Sequence, residues 1–109
     1  MSKKNRELVQ GTLEMLILKT LALEPLHGYA IAMRIEQISE GVFRVGPGSL
    51  FPAFSRLERA GHIDSEWRAT ENNRRGKYYK LTSAGRKALK LETHAWEQQT
   101  SAITRILEA

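Results

Sequence analysis

The chain has 109 residues, of which 41% are hydrophobic, so it can build one modest core in a single domain. Seventeen Lys and Arg against twelve Asp and Glu give a formal net charge of +5, and residues 72–91 contain basic residues but no acids, which favours a polyanionic partner. The absence of cysteine excludes disulfides and thiolate metal sites, and the N-terminal segment is too polar for a signal peptide or membrane span, so we expect a cytoplasmic protein.

The first helix is predicted over residues 8–23, where apolar side chains recur at helical spacing on two faces. A helix that is apolar on two sides needs two packing partners, so we expect it to be central, with Pro25 ending it. One face carries Val9, Leu13, Leu16, Ile17 and Leu21, and the other carries Met15, Leu18 and Ala22.

The second helix is predicted over residues 28–39, with Ile31, Ile35 and Ile38 on its inner face. Gly41 stops this helix. The apolar run at residues 42–45 that follows is a candidate strand.

The third helix is predicted from Ser49, a residue typical of N-caps, to Ala60, with Gly61 just beyond its end. Pro52 fits because it falls in the first turn, where a backbone N–H has no helical partner. Projection at about 100° per residue separates two faces. The apolar face holds Leu50, Ala53, Phe54 and Leu57, and the polar and basic face holds Ser49, Pro52, Ser55, Arg56 and Arg59.

Two strands joined by a basic turn follow the third helix. Residues 63–67 alternate as in a half-buried strand, with Ile63, Ser65 and Trp67 on one side, and residues 77–81 form its partner. The polar stretch 70–76 between them carries Arg74 and Arg75. The order helix, strand, basic turn, strand predicts an α+β fold, a winged helix-turn-helix of three helices plus a two- to three-stranded wing.

A long last helix is predicted from Ser83, interpreted as its N-cap, to the end of the chain. Leu89, Trp96 and Ile103 recur every seven residues beside a column of alanines, a pattern typical of a helix–helix seam. We therefore predict a homodimer in which residues 1–82 form the DNA-binding domain and residues 83–109 the C-terminal dimerisation helix.

In a winged helix-turn-helix the third helix would lie in the major groove of double-stranded DNA. The base-edge candidates are Ser49, Pro52, Ser55 and Arg56, with Arg56 suited to guanine. The phosphate candidates are Tyr29, Phe51, Arg59, Arg74, Arg75, Lys77 and Lys80. The same fold also fits a protein-interaction module, whose basic wing would merely keep the protein in solution.

Two aromatic residues have more than one interpretation. Phe51 projects away from the apolar face and either touches the DNA backbone or packs beside the wing. Trp96 is either an ordinary dimer anchor or one wall of a flat slot that admits a small aromatic effector across a two-fold axis. The aromatic residues expected in the core or packed on strands are Phe43, Phe54, Trp67, Tyr78 and Tyr79.

The sequence contains no recognisable catalytic or metal site, and we predict neither an enzyme nor a cofactor. Its histidines, His27, His62 and His94, lie apart from one another and from paired carboxylates, and its glycines follow no phosphate-binding pattern. His27, just before Gly28, is expected to cap the second helix.

Four segments in order, GTLEMLILKTLA, HGYAIAMRIE, GSLFPAFSRLERAGHI and RRGKYYKLTSAGRKAL, resemble the PadR family of bacterial transcriptional regulators. The resemblance runs from about Gly11 to Leu89. Phe51 departs from it, since the family usually has Tyr there, and Phe54 replaces a commoner aliphatic residue. The missing hydroxyl removes one phosphate hydrogen bond and leaves the fold unaffected.

The resemblance implies a homodimeric repressor on an inverted-repeat operator, with the last helix packed on the partner's first helix. The single short last helix resembles a compact subfamily, in some members of which a Trp at the position of Trp96 holds planar aromatic drugs. Other members sense phenolic acids or no known ligand, so a constitutive repressor is the alternative. The dimer-interface candidates are Leu13, Leu16, Ile17, Leu89, Trp96, Ile103, Ile106 and Leu107.

Overall fold

The computed structural model describes residues 11–70 and 72–109. Within those ranges it contains four helices and one antiparallel sheet with the strand order β1-β3-β2. The predicted α+β fold, a winged helix with a long last helix, is confirmed. The helices are α1 (Thr12–Leu23), α2 (Gly28–Ile38), α3 (Pro47–Arg59) and α4 (Ser83–Leu107), and the strands are β1 (Leu26–His27), β2 (Ile63–Ala69) and β3 (Arg75–Leu81). Among these helices none is both long and apolar enough to cross a membrane.

Helix α1 is central, as predicted, because it contacts α2, α3, α4 and β3. The described helix begins at Thr12, after Gly11, whose backbone is left-handed with φ of +90°. The predicted start at residue 8 lies outside the described residues, as does Val9. Glu24 is extended, as the residue before a proline should be, so the predicted end of this helix is confirmed.

The predicted strand at residues 42–45 is wrong. That segment is a loop, whose Phe43 packs against the core and donates its backbone N–H to the Ser39 hydroxyl at 3.0 Å. The third strand is instead β1, whose Leu26 and His27 pair with Tyr79 and Tyr78 of β3.

The inner face of α2 is shorter than predicted. Ile31 and Ile35 are buried, but Ile38 is 62% exposed because it is the last residue of the helix and extends past the core.

Helix α3 begins at Pro47, two residues before the predicted N-cap Ser49. Gly46 occupies the N-cap position, and its carbonyl accepts the N–H groups of Ser49 and Leu50 at 3.1 and 3.0 Å. Pro52 therefore lies beyond the first turn, so its missing N–H leaves the Gly48 carbonyl without the usual helical donor.

The end of α3 is the predicted one. Gly61 has φ of +78°, and its N–H donates to the Glu58 carbonyl at 3.0 Å while the His62 N–H donates to the Leu57 carbonyl at 2.9 Å. This pair of bonds is a Schellman motif, which requires the left-handed backbone that glycine adopts without strain.

The hairpin of β2 and β3 is longer than predicted. Strand β3 begins at Arg75, which pairs with Ala69, so only Arg74 of the two wing arginines lies in the turn. Tyr79 and Leu81 are buried, as predicted, whereas Trp67 is 57% exposed because the hairpin extends past the core.

The N-cap of α4 is Thr82, not the predicted Ser83. The Thr82 hydroxyl accepts the Gly85 N–H at 2.9 Å and donates to the Gly61 carbonyl at 2.7 Å, and the Thr82 N–H donates to the His62 carbonyl at 3.1 Å. These bonds join the end of α3 directly to the start of α4.

Candidate nucleic-acid interface

The two predicted faces of α3 are confirmed by burial. Its apolar side chains are at most 3% exposed, and Phe54 stacks on Tyr79 of the sheet with ring centroids 4.3 Å apart. The opposite face is exposed to solvent, because the apolar face packs against the core. Its exposed residues are Ser49, Pro52, Ser55, Arg56 and Arg59.

Arg56 forms an ion pair that the sequence did not reveal. Its Nε lies against the Glu14 carboxylate of α1, which also accepts the Nε–H as a hydrogen bond. The two residues are 42 positions apart, so no local pattern could have indicated the contact. Glu14 therefore joins the candidate site as a residue that sequence reasoning missed.

The wing, which is the hairpin of β2 and β3, is connected to α3 through Glu58. Its Oε1 is 3.6 Å from Lys77 Nζ, and its Oε2 accepts the Ser65 hydroxyl at 2.6 Å. Both strands of the hairpin are thereby connected to the helix that carries Arg56. Burial, and secondarily the negative charge of Glu58, raises the pKa of the neighbouring Tyr79 hydroxyl above its ordinary value of 10.0.

Cations and aromatic rings alternate on the hairpin. The Arg75 guanidinium lies over the Trp67 ring, 5.4 Å from its centroid, and that of Arg68 lies 4.1 Å from the centroid of Tyr78. Arg68 also pairs with Glu66 at 2.5 Å. Trp67 and Arg68 were missed as candidates, although their position beside the wing turn was visible in the sequence.

The remaining phosphate candidates lie on separate elements. Tyr29 on α2 is 77% exposed, and Phe51 on α3 is 54% exposed. The rings of Phe51 and Phe54 form a T-shaped pair with centroids 6.0 Å apart. Phe51 thus extends one side of the core rather than lying free. The side chains of Arg59, Arg74 and Lys80 are exposed.

A second concave surface, the α1–α4 groove, has a volume of about 530 Å³. Its apolar part is lined by Met15, Leu16, Leu89 and Trp96, and its rim includes Lys19, Arg86, Lys90 and Glu97. Trp96 is 46% exposed in the single chain. The groove therefore combines an apolar floor with a mostly cationic edge.

Two predicted interface residues belong to the chain's own core. Ile17 is 0% exposed and Leu13 is 9% exposed, because α2, α3, α4 and β3 surround α1, so neither has surface left for a partner. Leu16 and Leu89 are half-buried. On α4, Ile103, Ile106 and Leu107 are exposed by 55, 74 and 78%.

His27 does not cap α2 with its side chain, contrary to the expectation. Its ring packs edge-on against Tyr78 with centroids 5.0 Å apart, and Nε2 is buried without a hydrogen-bond partner. Across the described ranges 11–70 and 72–109, no three His, Cys, Asp or Glu side chains are grouped so that they could hold a metal ion.

Residues 17–91 match the transcriptional regulator PadR-like family. The chain is 34% identical over 93 residues to a transcriptional regulator of Mycobacterium tuberculosis, covering 85% of this chain and 83% of that protein. A transcriptional regulator from Clostridium thermocellum has a similar solved structure, with a TM-score of 0.80, 29% identity and coverage of 88% of this chain and 93% of that one.

A further relative is an uncharacterized 37.1 kDa protein in a transposon of Streptomyces fradiae, 45% identical over 82 residues. That match covers 75% of this chain but 22% of the transposon protein, so the chain spans about a fifth of that relative's length.

Proposed function

Because the chain belongs to the PadR-like family of transcriptional regulators, we propose that it is a homodimeric repressor that binds an inverted-repeat operator in double-stranded DNA. The observation that carries the proposal is the exposed outer face of α3, with Arg56 on it and the wing tied beside it through Glu58. Residues 1–82 would form the DNA-binding domain and residues 83–109 the dimerisation helix.

In this proposal α3 enters the major groove and the wing grips the flanking backbone. Ser49, Pro52, Ser55 and Arg56 read base edges, and Arg56 is suited to the N7 and O6 acceptors of guanine. The DNA backbone is contacted by side chains that supply affinity without sequence preference. The cations that neutralise phosphates are Arg59, Arg74, Arg75, Lys77 and Lys80, and the uncharged contacts to the backbone are Tyr29 and Phe51.

The exposed apolar residues of α4 support the dimer. A 25-residue helix with Ile103, Ile106 and Leu107 largely exposed leaves apolar surface that a second copy would cover. The α1–α4 groove, with Leu16, Leu89 and Trp96, is the complementary surface. Packing the distal half of α4 into the partner's groove would bury both surfaces at once.

A planar aromatic effector near Trp96 is the second part of the proposal. The half-exposed indole and the groove beside it support it, because aromatic ligands bind concave apolar sites with few polar groups. A constitutive repressor, in which Trp96 only anchors the dimer, is the alternative.

The test of DNA binding is selection of duplexes from a random pool by the purified protein, followed by titration against salt. A specific regulator enriches a palindromic sequence and binds it against excess shuffled duplex, with an affinity that falls steeply with salt. Enrichment of no sequence, with weak binding that competitor abolishes, would instead indicate a protein-interaction module.

The effector is tested by fluorescence in a chain carrying Trp67→Phe, in which Trp96 is the remaining tryptophan. Quenching by planar aromatic compounds, together with weaker binding of the selected duplex, supports an effector. The same compounds added to a Trp96→Phe chain should leave DNA binding unchanged. No quenching by any compound would favour the constitutive repressor.

A further inference from the structure

Glu14 and Arg56 connect two helices that have different roles in the proposed function. Glu14 lies in the first turn of α1, and Arg56 lies on the outer face of α3. The contact is made through Arg56 Nε, whose N–H donates to Glu14 Oε2. It is thus a directed hydrogen bond as well as an ion pair.

The contact with Glu14 uses Nε and not the terminal nitrogens of the guanidinium. A guanidinium has five N–H donors, and those on the two terminal nitrogens match the N7 and O6 acceptors of guanine. Because the carboxylate accepts the Nε–H, it restrains the side chain through Nε and does not use the donors of the terminal nitrogens. An arginine oriented before binding loses less rotational freedom when it contacts the base.

Stability alone does not account for a carboxylate at this position. The side chains of Arg56 and Glu14 are 50% and 27% exposed, and ion pairs this open to solvent contribute little to folding. A carboxylate beside the DNA-binding face also repels phosphates, which lowers affinity. That disadvantage is offset if the carboxylate improves discrimination between bases.

We propose that Glu14 is a positioning residue that orients Arg56 for a guanine and thereby sets base specificity, an inference that rests on the proposed function. Glu14 itself makes no base contact. Its neighbours Met15 and Leu16 line the α1–α4 groove, so the residue that orients Arg56 is on the same helix turn as that groove.

The experiment compares dissociation constants for the duplex selected by the wild-type protein and for a shuffled duplex of the same composition. The specificity ratio is the dissociation constant for the shuffled duplex divided by that for the selected duplex. Glu14→Ala should reduce this ratio about tenfold, within the range that a bidentate arginine–guanine pair contributes to discrimination. Binding of the shuffled duplex should be unchanged or tighter, since a negative charge is lost. Glu14→Gln, which keeps an acceptor oxygen and the side-chain volume, should lose less, and it carries the test if Glu14→Ala does not fold.

Two controls separate orientation from general damage. Glu24→Ala removes a carboxylate from the other end of α1 and breaks an arginine pair, 2.9 Å from Arg34, so it matches the change in charge and should keep the ratio. Affinities for the selected duplex with each base pair substituted in turn should show that Glu14→Ala and Arg56→Ala weaken base preference at the same position. In a chain that already carries Arg56→Ala, Glu14→Ala should cause no further loss of base preference.

Failure of the proposed function and failure of the inference about Glu14 give different results. If the wild-type protein selects no sequence, the proposed function fails and this inference with it. If it selects one and both Glu14 variants keep the ratio, only the inference is overturned. Equal weakening at every base pair would overturn it too, because that indicates a structural role, and so would a higher ratio, which would mean that Glu14 holds Arg56 away from the bases.

Discussion

Lys77 on the wing reaches Glu58 on α3, with 3.6 Å between Nζ and Oε1. Part of its positive charge is therefore compensated within the protein. Arg75, two residues earlier on the same strand, forms no ion pair with the residues that the structure describes, and stacks over Trp67 instead. The two cations should thus contribute differently to binding of a polyanion.

Arg75→Ala should weaken all duplexes alike and reduce the slope of log K against log salt by about one, because one phosphate contact is lost. Lys77→Ala should change the slope less, since removing that lysine also frees Glu58. Arg56→Ala, by contrast, should relax base preference. Fluorescence anisotropy titrations at several salt concentrations measure all three, and identical behaviour of the Arg56 and Arg75 variants would contradict the division between base and phosphate contacts.

Ile103→Asp should shift the protein from dimer to monomer. Ile103 projects about 20° from Trp96 around α4, and losing an isoleucine that the partner would bury should raise the dimer dissociation constant at least about tenfold. Sedimentation over a concentration series measures it. Leu91→Asp is the matched control, because Leu91 is 73% exposed and projects about 140° from Trp96. An unchanged profile for Ile103→Asp would remove α4 from the interface.

Gly85→Ala should destabilise the fold by about 3 kcal/mol or more. A Cβ on Gly85 would lie 2.1 Å from the His62 carbonyl oxygen and 2.7 Å from Leu81 Cδ1, so backbone would have to move. Gly48→Ala, also in a helix, meets nothing within 4 Å and should be neutral or stabilising by up to about 1 kcal/mol. Urea unfolding at one protein concentration compares them, and equal effects would argue against the tight packing of α4 on His62.

Thr82→Ala should cost about 1 kcal/mol of stability, because it removes the hydroxyl that caps α4. Ser83→Ala should stay within about 0.5 kcal/mol, since that residue is exposed and inside the helix. Thr82→Ser retains the cap and should recover most of the loss. The reverse order of the two alanine variants in thermal unfolding would restore Ser83 as the cap.

Unfolding free energy should fall as the pH rises above 10, partly through Tyr79. Burial raises the pKa of Tyr79 in the folded state, so above its ordinary value of 10.0 the unfolded chain loses this proton first. The effect is limited to about 1.4 kcal/mol per pH unit between the two pKa values. Tyr79→Phe should flatten this part of the pH profile, whereas Tyr29→Phe, at a 77% exposed position, should not.

Sequence reasoning identified the elements whose pattern is local. The buried face of α3, the glycine that ends it and the alternation of Tyr79 and Leu81 all follow from spacing and turn chemistry. The start of α3 was misplaced, although Pro47 has the position that proline favours in a first helical turn.

Features that depend on distant partners were not predictable in this way. A two-residue strand such as Leu26–His27 has no pattern of its own and exists because β3 offers an edge. Thr82 and Ser83 are both cap-forming residue types, with Ser somewhat preferred, so residue type alone does not select Thr82. The contact with Gly61, whose carbonyl accepts the Thr82 hydroxyl, favours Thr82. The pairing of Glu14 with Arg56 likewise depends on how α1 and α3 pack.

The junction of Gly61, Thr82 and Gly85 has a mechanical consequence. It fixes the end of α3 to the start of a 25-residue helix that is about 37 Å long at about 1.5 Å per residue. In the proposed dimer that helix acts as a lever arm, because a rotation of about 5° about its C-terminal end displaces its N-terminal end by about 3 Å. The distance between the two copies of α3 would then be set by the crossing angle of the two α4 helices, without any change within either DNA-binding domain.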